Sequence, residues 1–294
     1  MSLVTLTPPA YRGRFAPTPS GPLHFGSLVA ALASWLDARQ QGGEWWLRID
    51  DIDPPREAPG AATRICQQLE AHGLHWDKKL HQSTRHDRYQ AAIDQLLAQG
   101  QAFYCRLSRQ QLVDYPQHPG ISVAVAAASD TAIRLAVSSG NRRYQDLLLP
   151  DYQADLQALG GAFVIRRRDG LFAYHLACAI DDASLGMTHI LRGADLRDAT
   201  PQQQWIMQCL SLPLPAYGHL PLIVDGADKL SKSSGSASLR DDQAAAQLLR
   251  ALTALGQQPP SQLQGAGVAD ILDWGVAHWS RARLPSGAID IHRV

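Results

Sequence analysis

The chain has 294 residues, 45% of them hydrophobic, and balances 27 Lys+Arg against 27 Asp+Glu. That length suits one large domain or two modest ones at roughly 100–200 residues each, and no apolar run approaches the roughly 20 residues of a membrane helix. The even charge excludes a globally basic surface, so any contact with a phosphate backbone has to be local. Arg166, Arg167 and Arg168 form the most obvious basic cluster and Arg142–Arg143 a smaller one, and such runs are more often solvated faces than contacts. The N-terminal stretch MSLVTLTPPAYRGRF lacks the charged start and long apolar core of a signal peptide, so a soluble cytoplasmic protein is expected. Cys66, Cys105, Cys178 and Cys209 form no CxxC pair and read as structural thiols of a reducing compartment.

In chain order, residues 11–16 read as a strand, followed by the turn PTPSGP and a helix over 23–40. Leu28, Leu32, Trp35 and Leu36 fall on one face of that helix at a 3.6-residue period. Gly42 and Gly43 close it, and EWWLRID reads as a second strand. Strand, turn, helix, strand is a βαβ unit, which implies a parallel sheet. Helices are expected over 61–72 and 85–99, the second burying Tyr89, Ile93, Leu96 and Leu97. Residues 101–157 break into short mixed segments and read as an α+β insertion. Strands are expected over 163–167, 188–191 and 219–224, with a helix over 201–210 between the last two. The loop GADKLSKSSGS follows, and the 61 residues after Ser233 read as mostly helical. The expected units are 1–100 and 158–225 as two halves of one parallel-sheet domain, 101–157 as the insertion, and 226–294 as loop and tail.

Two segments carry chemistry. In RFAPTPSGPLHFGS, His24 lies in the opening turn of a helix, where unpaired N–H groups and the positive end of the dipole suit a phosphate. A histidine there can donate to an α- or γ-phosphate as charge builds in a transition state; a satisfied surface histidine is the alternative reading. In KLSKS, Lys229 and Lys232 stand three apart and can neutralise leaving pyrophosphate, or form a solvated lysine loop.

The two together, in this order, resemble the HIGH and KMSKS signatures of class I aminoacyl-tRNA synthetases, written here HFGS and KLSKS. RFAPTPSG, LRIDDIDPPRE, GLHWD, RRDGLFAYHLA and LRGADL are similar to the glutamate-specific branch, so the resemblance covers about four-fifths of the chain. The 61 residues after the loop cannot supply the anticodon-binding region of a full glutamyl-tRNA synthetase. The chain instead resembles the short paralogue family, the glutamyl-Q tRNA(Asp) synthetases, which activate glutamate without tRNA and transfer it to queuosine at the wobble position of tRNA(Asp).

The resemblance implies a Rossmann-like parallel-sheet domain of the class I type with an α+β insertion, a short helical C-terminal tail and no anticodon-binding domain. It implies glutamate, ATP with Mg²⁺ and queuosine-bearing tRNA(Asp) as ligands. Arg14, Phe15, Ala16, Pro17 and Thr18 are then the strand–turn segment that holds glutamate, with Arg14 on its side-chain carboxylate, Arg192 as a second carboxylate contact and Tyr174 beside the amino acid. His24, Gly26 and Lys232, with Lys229 in support, face ATP. Asp50 stands where the family usually has glutamate, a carboxylate for the substrate ammonium that is one methylene short, so that water has to bridge or geometry adjust. Strand alternation sends Asp51 to the other face. The family's zinc ligands, a CxC pair, a tyrosine and a further cysteine, are reduced to Cys105, with Tyr115 and His118 as remnants, so zinc is expected to be absent. The rival readings are a minimal glutamyl-tRNA synthetase charging a 3′ end, a nucleotidyltransferase making an adenylated metabolite, and a non-catalytic tRNA-binding paralogue.

Overall fold

The computed structural model describes residues 10–225, 228–229 and 237–293. Strands β1 (Arg12–Phe15), β2 (Glu44–Ile49) and β3 (Lys78–His81) pair in parallel, with helices α1 (Phe25–Gln40) and α2 (Ala61–Ala71) as the crossovers. Helix α3 (His86–Ala98) leads into an antiparallel sheet made of β4 (Ala102–Cys105), β5 (Ala132–Leu135) and, further on, β8 (Phe163–Arg166). Between them lie the one-turn helix α4 (Arg109–Leu112) and the hairpin of β6 (Arg142–Tyr144) and β7 (Tyr152–Ala154). The strand expected at 163–167 thus joins the sheet of the insertion rather than the parallel one.

Helix α5 (Tyr174–Ser184) returns the chain to β9 (His189–Gly193), helix α6 (Thr200–Cys209) and β10 (Ala216–Leu220), where β9 and β10 are again parallel. Thr188 N–H donates to Arg12 O at 2.9 Å and Arg12 N–H to Thr188 Oγ1 at 2.8 Å, seating β9 beside β1. The single strand expected at 219–224 is two: β10 ends at Leu220 and β11 (Ile223–Asp225) begins a separate small sheet, with Pro221 between them. Proline lacks the N–H that a ladder needs, which is why the strand breaks there. β11 pairs with β12 (Asp228–Lys229) and with β13 (Ile289–Asp290), which follows helices α7 (Ala244–Ala254) and α8 (Val268–His278). Among the described residues no helix is long and apolar enough to cross a membrane.

Helix α1 is apolar nearly all round, and such a helix has to be covered on every side. Its core residues Leu28, Leu32 and Leu36 are fully buried in one cluster with the parallel strands and with Leu248, Leu252, Ile271 and Trp279 of the tail. Gly43 lets the chain enter β2 at close quarters, since a Cβ there would lie 2.4 Å from Tyr11 O. Within α1, the carboxylate of Asp37 is 1% exposed and gathers the structure: it accepts from Tyr11 Oη, from Trp279 Nε1 at 2.9 Å and from both Nε and Nη2 of Arg281 at 2.7 Å. Replacing it strands four donor groups from three residues. Asp37→Ala is expected to lower unfolding stability by about 2–3 kcal/mol, given the worth of hydrogen bonds to a charged group, as read from the urea midpoint; a change within error would deny the carboxylate this role.

Candidate functional site

The three parallel strands β1–β3 and the parallel pair β9–β10 meet where β1 lies beside β9, and crevices for ligands open beyond the carboxyl ends of strands where the winding reverses. A cavity of about 510 Å³ sits there, walled by Arg14–Thr18 at the end of β1 and beyond, His24 and Gly26 at the start of α1, Tyr174 of α5, Leu191–Gly193 of β9 and Leu220–Ile223 from the end of β10 to the start of β11. It brings together the sequence candidates Arg14, Phe15, Ala16, Pro17, Thr18, His24, Gly26, Tyr174 and Arg192. Asp50 is not in that wall. It opens instead on a second chamber of about 500 Å³, which shares Thr18, Arg56 and Tyr174 with the first.

Asp50 is held back by Arg48, two residues earlier on the same face of β2. Arg48 donates through Nε at 2.6 Å and Nη2 at 3.1 Å to its two oxygens. Arg48 Nη1 reaches Asp182 Oδ1 at 2.7 Å, and Arg14 donates to both oxygens of Asp182, through Nε and Nη2 at 3.1 Å each. Arg14, Arg48, Asp50 and Asp182 are 4% exposed or less. Burial works to raise the Asp182 carboxyl, but the Arg14 and Arg48 guanidinium groups overcome it and hold it below the ordinary range. Burial raises the Asp50 carboxyl, with Arg48 opposing. Next to this chain, Asp181 accepts from Arg85 at 2.5 Å, Gln82 at 2.9 Å and Tyr89 at 2.8 Å. Arg14, Arg48 and Arg85 thus pair with Asp50, Asp181 and Asp182, while Arg192 reaches a further buried carboxylate, Asp146, through His219.

The sequence reading passed over Arg48, Cys178, Asp181 and Asp182. A signal existed: Tyr174, Cys178, Asp181 and Asp182 stand at i, i+4, i+7 and i+8 on α5, and so share one face. Acidic residues on the otherwise apolar face of a helix need partners. Cys178 Sγ lies 3.2 Å from Arg48 Nη2 and 3.7 Å from Asp50 Oδ2.

At the phosphate end, His24 is the N-cap of α1 rather than part of its first turn, with extended backbone. Its Nδ1 accepts from Ser27 N–H at 3.3 Å, which puts the ring proton on Nε2 as a donor. Lys232 lies outside the described residues, and Lys229 is described only as backbone of β12. Close to this turn, Ile223 of β11 lines the cavity, Ser238 bridges to His24, and Leu239 N–H donates to Leu23 O at 2.9 Å.

In the insertion, Cys105 Sγ and His118 Nε2 are 3.4 Å apart and both residues are buried. His118 Nδ1 accepts from Gly120 N–H at 2.9 Å, so Nε2 carries the proton and donates to the sulfur. Tyr115 is 44% exposed and contributes nothing there. Two ligands do not make a tetrahedral zinc site, and among the described residues no group of three His, Cys, Asp or Glu could hold a metal. The residues do not fit zinc.

Residues 10–264 match the family described as the catalytic domain of class I tRNA synthetases (E and Q). The chain is 52% identical over 284 residues to a glutamyl-Q tRNA(Asp) synthetase of Pseudomonas fluorescens, covering 95% of each chain. It is 53% identical over 281 residues to that of Ectopseudomonas mendocina, covering 94% of this chain and 95% of the other. In architecture it is similar to the crystal structure of glutamate-tRNA synthetase from Elizabethkingia anophelis, with a TM-score of 0.81 at 22% identity, over 96% of this chain and 68% of that one.

Two histidines set an acid limit on this arrangement. Burial, assisted by Arg192 for His175 and by Arg134 for His118, lowers each imidazole from 6.5 to about 4. The unfolded chain takes up these protons near pH 6.5 and the folded one only near pH 4, so stability is intact above that window and is lost as pH falls through it. The urea midpoint is expected to fall steadily between pH 6.5 and 4, and to fall less steeply for His175→Gln; an equally steep decline in that variant would remove His175 from the account.

Proposed function

This chain belongs to the catalytic-domain family of class I tRNA synthetases for glutamate and glutamine, and we propose from that membership that it activates glutamate with ATP and passes it to queuosine in tRNA(Asp). The observation that carries the amino-acid assignment is that two buried arginines, Arg14 at the end of β1 and Arg192 at the end of β9, line one cavity. The side-chain carboxylate of glutamate suits such a pair of guanidinium groups.

In this reading Arg14, whose Nε and Nη2 are committed to Asp182, meets the side-chain carboxylate from the edge it presents to the cavity, with Arg192 as the second cationic contact. Phe15, Ala16, Pro17 and Thr18 shape the slot, and Tyr174, whose hydroxyl burial keeps protonated, stands beside the amino acid. Asp50 acts on the ammonium across the shared wall of the two chambers, through a bridging water. The α-carboxylate then attacks the α-phosphate of ATP, forming the acyl–phosphate bond and releasing pyrophosphate. His24 donates from Nε2 to the phosphates at the helix N-terminus, Gly26 admits the nucleotide, and Lys232 with Lys229 neutralises the leaving pyrophosphate. Mg²⁺ travels with the ATP as part of the substrate. A hydroxyl of the queuosine ring attacks the mixed anhydride, entering by the second chamber, and AMP departs. The insertion holds its shape through the Cys105–His118 contact without zinc, and the protein works in the cytoplasm, where its tRNA is found; metal analysis showing one zinc per chain would overturn the first of these.

The deciding experiment is transfer of labelled glutamate to tRNA(Asp) prepared with and without queuosine. Label confined to the queuosine-bearing tRNA is expected; label on both, or on neither, would mean another acceptor and would favour the rival that charges a 3′ end. For the pocket, Arg14→Ala is expected to raise the KM for glutamate in pyrophosphate exchange by about 10- to 100-fold, the factor corresponding to one charged hydrogen-bonded pair. An unaltered KM would take Arg14 out of the amino-acid site.

A further inference from the structure

Each nitrogen group of Arg192 donates to a different side chain: Nη1 to Gln203 Oε1 at 2.7 Å, Nη2 to Thr200 Oγ1 at 2.8 Å and Nε to His219 Nε2 at 3.3 Å. Gln203, Thr200 and His219 are at most 1% exposed, so none of them exchanges its partner for water. The bond to His219 is conditional. It forms only while Nε2 is bare, and a neutral imidazole keeps Nε2 bare only when its proton is on Nδ1. The Nδ1 proton has an acceptor, Asp146 Oδ2, at 2.6 Å.

Asp146 belongs to another part of the molecule. It lies in the loop between β6 and β7, inside the insertion. That loop is docked on β10 by the backbone as well: Leu147 N–H donates to Tyr217 O at 2.8 Å, and His219 N–H donates to Asp146 Oδ1 at 3.1 Å. The same Oδ1 accepts from Leu148 and Leu149 N–H at 3.0 Å each. Gly218 makes the approach possible, because a Cβ on it would stand 2.9 Å from Leu148 Cγ. Docking of this one loop thus decides which nitrogen of His219 carries the proton, and thereby whether Arg192 keeps its third partner.

We propose that Asp146 and His219 are positioning residues that orient Arg192, so that the seating of the insertion on β10 sets the affinity of the cavity for its carboxylate substrate. This rests on the reading of the cavity as the glutamate site. Neither residue touches the substrate; Asp146 acts through His219, and His219 through Arg192.

Asp146→Asn tests the relay with little change of shape. The amide oxygen can still take the three backbone N–H groups, while the NH₂ faces Nδ1 as a donor. The ring then has to move its proton to Nε2, where it can donate to Thr200 Oγ1 at 3.0 Å but stands donor against donor with Arg192 Nε–H, which loses its acceptor. The KM for glutamate in pyrophosphate exchange is expected to rise at least about tenfold, with kcat and the KM for ATP within about twofold of the unaltered protein. A folded Asp146→Asn protein with an unchanged KM for glutamate would overturn the proposal. Should that variant fail to fold, the ¹⁵N signals of His219 in the unaltered protein decide: the proton on Nδ1 supports the relay and the proton on Nε2 overturns it. Absence of glutamate-dependent exchange in the unaltered protein would instead defeat the reading of the site, which keeps the two failures apart.

Discussion

The carboxylate of Asp182, sealed from water between Arg14 and Arg48, is the contact on which the site depends. It comes from α5, while its partners come from β1 and β2, so one anion fixes the distance between two parallel strands and the helix that covers them. An unpaired buried charge would cost several kcal/mol, and the desolvation of a pair is recovered only if every remaining donor is met. Arg48 meets that condition by spending its other nitrogens on Asp50 and Cys178, while Arg14 keeps one edge for the cavity. The result is an arginine at the mouth of the cavity that cannot swing away, because its Nε and Nη2 are already bound.

Much of the fold could be read from periodicity and punctuation. The βαβ opening is legible because the strand–turn–helix signals of residues 11–40 are local, and a helix apolar on all sides announces its own burial. The break at Pro221 was missed, although a proline inside an expected strand carries a physical warning. The assignment of Phe163–Arg166 to the antiparallel sheet was not legible at all, since a short apolar strand gives no sign of its partner.

The same division holds at the site. Arg14, Tyr174 and Arg192 could be named from motifs, and the fold gathers them at one cavity. Asp50 was named too, but a motif cannot tell that its carboxylate faces Arg48 and a neighbouring chamber. Asp146, Thr200 and His219 left no trace in the sequence, because their meaning lies in contacts between segments tens of residues apart. Pairing across such distances is set by topology, and topology is the part that local pattern does not encode.

The hub at Asp37 carries a further consequence, for how the molecule is made. Its donors Trp279 and Arg281 lie more than 240 residues beyond it, and β13 closes on β11 later still. On a ribosome, α1 leaves the exit tunnel long before the groups that cover it. For most of translation its outer apolar face is open, and its carboxylate lacks two of its partners. Contacts so far apart in sequence close slowly, and exposed apolar surface invites association in the meantime. The nascent chain therefore has a long vulnerable interval, ended only when its last helices arrive.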